Sequence, residues 1–295
     1  MIKRRTFQLE LPSGILALGQ RTLLMGVLNV TPDSFSDGGK FLDPQRAIER
    51  ALEMERAGAD LLDIGGESTR PGSTGTDADT ELARILPLLE GLRGALKIPI
   101  SVDTRKSEVA EAAIGAGAQI INDISGLRYD PRIAEVAQRR GVPLILMHMR
   151  GEPATMQKGR FARDVMKDVT LGLRASIAKA RKAGVRKSQI ILDPGIGFGK
   201  SFEQNYELLR KLSEFAKLGY PLLVGTSRKG FLGITLARNG KPAPPEERLW
   251  ATAATVTASI MGGAHMVRVH DVAEMVQVAR VADCLLDAAL HRNFR

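Results

Sequence analysis

Asn29, Asp63, Asp103, Asn122, His148, Asp193, the Ser227/Lys229 pair and Arg268 with His270 each close or directly follow a short apolar run. Such groups suit a small polar or anionic ligand. Asp103, Asn122 and Asp193 offer amide and carboxylate oxygens to a heterocycle rich in donors and acceptors. Buried carboxylates are costly without partners, so this set implies a ligand or a cationic neighbour, a charge that Lys229 can supply. Arg268 and His270 flank a strand end and suit a phosphate, with arginine able to grip two oxygens at once. Asn29 and Asp37 are hard oxygen donors of the kind that hold Mg2+ shared with substrate phosphates. No His/Cys cluster has zinc spacing. A lone histidine after an apolar strand, His148, reads as structural, and Cys284 in VADCLLDAAL reads as a core residue.

The elements that must position these groups alternate. Strands are expected at 22–30, 61–65, 98–103, 119–125, 142–149, 188–195, 220–227 and 265–270. Helical patterns follow Asp43-Pro44 (an N-cap and first-turn proline) and fill 80–93, 106–116, 131–140, 163–184, 202–218, 246–262 and 271–291. Consecutive parallel strands with helical crossovers predict an α/β fold, a (β/α)8 TIM-type barrel with its chemistry at the carboxyl ends of the strands. The rival open doubly wound sheet would carry a glycine fingerprint after its first strand, where this chain has Asn29-Val30-Thr31-Pro32-Asp33. Residues 2–18 alternate around Leu11-Pro12-Ser13-Gly14, which predicts an N-terminal β-hairpin able to plug the lower end of the barrel. No linker or shift in composition divides residues 1–295, so a single domain is expected.

Two loops exceed what a βα connection needs, and long loops are commonly functional. Loop one (29–43) carries Asp33, Ser34, Phe35, Ser36 and Asp37; loop two (65–79) carries Glu67, Ser68, Thr69, Arg70, Pro71, Gly72 and Ser73. Their hydroxyls and backbone N–H groups can cradle an oxyanion. The segment DPGIGFGKS (193–201) fails the phosphate-loop pattern because Pro194 stands where the first glycine belongs. Its glycines are better read as a tight turn beside a flat ligand.

Composition narrows the class further. The net charge of +9 comes with only 4% aromatics and no nucleic-acid-binding module, so nucleic acid is not the expected partner. Most of the charge falls on helix surfaces, but Arg70, Arg228, Lys229 and Arg268 lie at strand ends, where they can focus an anionic substrate. No apolar run approaches the ~18 residues of a membrane span, and the start lacks a secretory signal. Cys284 is the sole cysteine, which excludes an internal disulfide and fits a reducing, cytoplasmic setting.

Taken together the motifs become specific. MGVLNVTPDSFSDGG (25–39), DIGGESTRPGS (63–73), SVDT (101–104), NDISG (122–126), MHMRGEP (147–153), DPGIGFGK (193–200), GTSRKGFLG (225–233) and RVHD (268–271) occur in an order that resembles the dihydropteroate synthase family over nearly the whole chain. The resemblance implies a β/α barrel, usually a homodimer. It also implies a Mg2+-assisted condensation of (7,8-dihydropterin-6-yl)methyl diphosphate with 4-aminobenzoate. By motif, Asp103, Asn122, Asp193 and Lys229 resemble the pterin pocket, with Thr69 at the junction of the substrates. Asn29, Arg268 and His270 resemble the diphosphate grip, with Asn29 and Asp37 near magnesium. Phe35, Arg70, Pro71, Phe198, Lys229 and Gly230 resemble the aminobenzoate site, with Asp37, Arg70, Lys229 and Phe35 closest to the chemistry. Gly230 replaces a serine found in many members, leaving a backbone N–H where a hydroxyl would stand. A pterin-dependent methyltransferase would have no use for the STRPGS and SRKG elements, and a non-catalytic paralogue would have lost loop residues that are present here.

Overall fold

The computed structural model describes residues 4–31, 44–68, 72–73, 75–157 and 160–287. The chain enters as an antiparallel hairpin, β1 (Phe7–Leu11) and β2 (Gly14–Leu18), in register from Phe7↔Leu18 to Leu11↔Gly14. Eight parallel strands follow: β3 (Leu23–Asn29), β4 (Leu61–Gly65), β5 (Ile100–Asp103), β6 (Ile120–Asp123), β7 (Leu144–Met147), β8 (Ile190–Asp193), β9 (Leu223–Val224) and β10 (Met266–Val269). Their order is β8-β7-β6-β5-β4-β3-β10-β9, and the parallel bridge Leu192↔Leu222 joins the two edges into a closed TIM-type barrel.

The period of two along each strand sorts the side chains. Leu24, Leu62, Ile121, Leu144, Leu192 and Val267 face outward and pack with the helices in the larger hydrophobic cluster. Met25, Leu61, Ile120, Ile145, Ile191 and Met266 face inward and form a second cluster with Leu9 and Leu18 of the hairpin. The hairpin therefore plugs the amino-terminal end of the barrel. Two residues further along four of these strands, the same inward face carries Asp63, Asn122, Asp193 and Arg268 in place of apolar groups. The plugged end is apolar and the open end polar.

Helices fill the crossovers: α1 (Pro44–Arg56), α2 (Ala78–Leu92), α3 (Ser107–Gly115), α4 (Ile133–Arg140), α5 (Val165–Lys182), α6 (Phe202–Arg210), α7 (Ser213–Ala216), α8 (Gly230–Thr235), α9 (Leu249–Met261) and α10 (Val272–Leu286). Three of their starts are set by side chains that accept otherwise orphaned backbone N–H groups. Asp77 accepts from Thr80 N, Asp164 from Lys167 N, and Ser201 forms a capping box with Gln204. The Asp43 cap expected for α1 lies outside the described residues.

Three elements differ from the sequence pattern. The helix expected over 202–218 breaks after Arg210, and the chain turns so that Leu212 packs fully buried against Gly262. The strand expected over 220–227 shortens to Leu223–Val224 with one further bridge at Leu222, and Arg228 beyond it takes a left-handed backbone with φ 57°. Residues 230–235 form the short α8, a helix additional to those that the sequence pattern predicts. No helix of the described residues is long and apolar enough to cross a membrane.

Candidate active site

Asp103 and Asn122 are Cα partners on β5 and β6, so the inner wall of the mouth is polar by register. Beneath them, Asp63 is completely buried. Asn122 Nδ2 donates to Asp63 Oδ2 (2.9 Å), and Arg268 Nε donates to the same oxygen (2.6 Å). Arg268 Nη2 donates to Asp103 Oδ2 (2.8 Å). Arg268, on β10, thus pairs directly with the carboxylates, and Lys229 adds its charge near Asp193 and Asp103. Among the described residues three of the five guanidinium donors remain for an anion. Burial raises the Asp103 carboxyl above its ordinary range against the pull of Arg268. Asp63 Oδ1 is buried without a hydrogen-bond partner among the described residues.

Asp193 closes the wall from β8. Its Oδ1 accepts the Gly195 N–H (2.7 Å), and burial pushes it up to about 6 against that bond and the nearby Lys229. Gly195 (φ 67°) and Gly199 (φ 65°) turn the chain tightly over the segment after β7. A Cβ at Gly195 would stand 1.9 Å from the His148 carbonyl oxygen, and one at Gly199 would stand 2.0 Å from that of Arg150. The turn carries Phe198, and Lys229 Nζ lies 3.9 Å from the centre of its ring, a cation–π contact. Burial and Arg268 pull the Lys229 ammonium down to about 8.

His270 sits at the rim. Its Nδ1 is 2.9 Å from Ser227 Oγ, which also accepts the His270 backbone N–H (3.2 Å). A hydroxyl that accepts the backbone proton can turn its own proton to Nδ1, which leaves Nε2–H free to donate outward. Burial and then Arg268 hold this imidazole down at about 3, so it acts as a neutral donor. Asn29 ends β3, half-buried, with no side-chain hydrogen bond among the described residues. Gly230 opens α8 in free space, its backbone exposed. Arg228, which charge alone offered to a substrate, pairs instead with Asp271 through Nε (3.0 Å). Phe35, Asp37, Thr69, Arg70 and Pro71 lie outside the described residues.

Three groups take roles that the sequence pattern does not assign. Asp63, in sequence one strand-end group among several, is the shared acceptor of Asn122 and Arg268. Lys200 Nζ is buried under the Phe198 turn, on three acceptors. Loop two is anchored at its start by Glu67, whose Oε1 accepts from Arg105 (2.8 Å) and whose Oε2 accepts from Lys106. Lys106 also reaches Glu81 (2.5 Å), and Gly72 N–H donates to the Pro153 carbonyl (3.0 Å). Basic residues directly after β5 were the only signal that sequence gave for this anchor.

A closed β/α barrel with an acidic and amide-lined mouth, an arginine at its base and a neutral histidine at its rim defines an enzyme for a small anionic heterocycle. The pterin binding enzyme family matches residues 25–270. The dihydropteroate synthase of Synechocystis is 50% identical over 90% of this chain and 91% of its own. A Clostridium difficile dihydropteroate synthase, solved in the presence of pteroic acid, superposes with a TM-score of 0.84 at 45% identity, covering 91% of this chain and 98% of that one. The Xanthomonas albilineans enzyme with 4-aminobenzoic acid gives 0.87 at 39% identity over 96% and 99%. The chain belongs to the dihydropteroate synthase family. It is accordingly a transferase of folate synthesis.

Proposed function

We propose that the barrel mouth joins (7,8-dihydropterin-6-yl)methyl diphosphate to 4-aminobenzoate, releasing pyrophosphate and forming 7,8-dihydropteroate. The observation that carries this reading is the inner wall itself: Asp103, Asn122 and Asp193 face one another around Arg268, a donor and acceptor set that fits a pterin ring. Asp193 and Asn122 take the ring N–H and amino groups, with Thr69 at the junction of the substrates. The free donors of Arg268 and the Nε2–H of His270 hold the diphosphate. Phe198 and Lys229 form one side of the aminobenzoate site, completed by Gly230 N–H and by Phe35, Arg70 and Pro71 of the two long loops.

An aniline nitrogen is a weak nucleophile, so breaking of the carbon–oxygen bond leads. Arg268 and His270 stabilise the departing pyrophosphate, and preorganised donors of this kind cost no reorganisation during reaction. The methylene left behind carries positive charge shared with the electron-rich dihydropterin, and the buried Asp103 and Asp193 favour that charge electrostatically. Closure of loops one and two excludes water that would capture it. The reading assigns the roles nearest these events to Lys229 and, outside the described residues, to Asp37, Arg70 and Phe35. Among the described residues no three or more His, Cys, Asp or Glu side chains gather as a metal site. The unpaired amide of Asn29 at the end of β3 is nevertheless a hard oxygen donor that fits Mg2+, with Asp37 as its partner. When bound, Mg2+ supplies charge neutralisation on the diphosphate.

The exposed Trp250 of α9 with Val281 and Leu285 of the adjoining α10 support a homodimer through these helices. A single domain over residues 1–295 working in the cytoplasm completes the reading. The test is turnover: purified protein, Mg2+, the dihydropterin diphosphate and labelled 4-aminobenzoate, followed for labelled dihydropteroate. Product that vanishes on chelation supports the reading. Pterin binding without any product overturns it in favour of a non-catalytic or methyltransferase role.

A further inference from the structure

Lys200 is 3% exposed, yet among the described residues its ammonium pairs with no carboxylate at hydrogen-bond distance. Nζ donates to the Phe198 carbonyl (2.9 Å) and the His148 carbonyl (3.0 Å), and lies 3.0 Å from His148 Nδ1. Three donors meet three acceptors, all neutral, so the group is saturated. Burying an ammonium on neutral acceptors is costly, which argues that the site retains it for geometry and not for charge pairing.

The geometry is specific. The His148 and Phe198 carbonyls belong to the two backbone segments that Gly195 and Gly199 bring into contact, one after β7 and one after β8. Phe198 N–H donates back to the Gly195 carbonyl (3.1 Å), and Gly197 N–H donates to Asn205 Oδ1 (2.6 Å). With its carbonyl drawn down to Lys200, Phe198 turns its ring toward Lys229. As acceptor from Lys200, His148 Nδ1 leaves its proton on Nε2, which faces Asp168 Oδ2 at 3.6 Å. Asp168 is held in turn by Arg150 Nη1 (2.9 Å). Burial, followed by the charge of Lys200, keeps His148 neutral, down at about 2. The histidine read from sequence as structural is half of this tie.

We infer that Lys200 is a positioning residue for the amine substrate, stitching the Phe198 carbonyl to that of His148 so that the Phe198 ring is fixed against Lys229. It touches neither substrate. The inference rests on the reading that Phe198 and Lys229 flank 4-aminobenzoate.

The experiment is Lys200→Met, which keeps an unbranched side chain as far as Cε and removes all three donors. KM for 4-aminobenzoate is expected to rise roughly tenfold, while affinity for the pterin diphosphate by calorimetry changes less than about threefold. Lys200→Gln, which retains donors, is expected to fall between Met and wild type; it reads the same split should Met disturb folding. Equal rises in both constants would mean a general structural role and overturn the inference. So would a Phe198 ring still against Lys229 in a crystal structure of the Met variant. Wild-type protein that turns over neither substrate fails earlier, at the reading of the preceding section.

Discussion

Arg268 and Asp63 are joined over the intervening β3, from β10 to β4, by an Nε–Oδ2 hydrogen bond of 2.6 Å at the bottom of the polar mouth. The guanidinium is thereby held by its Nε edge and one Nη, with its remaining edge directed by the two carboxylates. Removing one partner of a buried pair is destabilising because the other charge stays buried. Here Asp103 remains as a second acceptor, so the loss is partial. Asp63→Asn is expected to cost about 2 kcal/mol, lowering Tm by about 3 °C in a chain of this size. KM for the pterin diphosphate should rise about tenfold as Arg268 loses its direction. Thermal unfolding and steady-state kinetics read both; an unchanged KM would show that Asp63 does not aim the arginine.

Asp193 illustrates a functional group that strains the fold. Burial raises its carboxyl from an ordinary 3.8 to about 6. Between those values the folded chain holds a proton that the unfolded chain has released, so stability declines as pH rises through this window. Above about 6 the ionised form carries a cost of at most about 3 kcal/mol, and below about 3.8 it carries none. Asp193→Asn, which can keep the bond from Gly195 N–H, should therefore raise Tm at pH 8 and keep only about half of that advantage at pH 5. Its turnover should fall about a hundredfold or more, for want of the charge that favours the methylene cation. For the wild type, kcat/KM is expected to fall as pH drops below about 6. A Tm gain that is the same at both pH values would contradict this account.

Much of this architecture is written locally. Buried parallel strands are near-continuous apolar runs, and each ends in the residue that the period of two turns inward, so Asp103, Asn122 and Asp193 could be placed in one mouth from sequence. What was not legible depends on partners far apart in the chain. Arg268 is 205 residues from Asp63, and no local pattern says that it also bends to carboxylates. Lys200 meets His148 over 52 positions. The short β9 and the α8 turn follow from Arg228 in a left-handed backbone, fixed by Asp271 through its side chain and by Arg248 Nη1 on its carbonyl (2.8 Å). Those are tertiary constraints, and propensity does not contain them.

Gly230 allows a gain-of-contact test. The residue is the first of α8, its φ is not left-handed, and a Cβ there would meet nothing within 4 Å. Gly230→Ser should leave stability within about 0.5 kcal/mol, as surface changes away from special backbone usually do. By adding a hydroxyl beside Lys229 it should lower KM for 4-aminobenzoate a few-fold, roughly the worth of one hydrogen bond. Unchanged affinity for 4-aminobenzoate, with the variant folded, would remove this position from the carboxylate site.

At the opposite end of the barrel, His265 couples stability to pH without touching the mouth. Its Nδ1 accepts the Leu222 N–H (3.1 Å), and its Nε2 lies 3.0 Å from the Arg5 carbonyl, an arrangement that requires the neutral ring protonated on Nε2. The Phe7 ring meets it edge-on at 5.2 Å. Burial draws the imidazole from its ordinary 6.5 down to about 4. In that window the unfolded chain binds a proton that the folded chain refuses, so the free energy of unfolding falls as pH drops from about 6.5 towards 4. The loss attributable to this residue is at most about 3 kcal/mol. His148 and His270 are also held low and add acid sensitivity of their own, so the quantity to measure is a difference. His265→Gln is expected to be the less stable protein at pH 7.5. Its deficit against wild type, by denaturant unfolding, should shrink by up to about 3 kcal/mol at pH 4.5. A deficit independent of pH would mean that His265 contributes packing alone. A deficit that shrinks with acid, together with faster amide exchange at Leu222, would place the acid-sensitive latch at the junction of the N-terminal hairpin and the barrel.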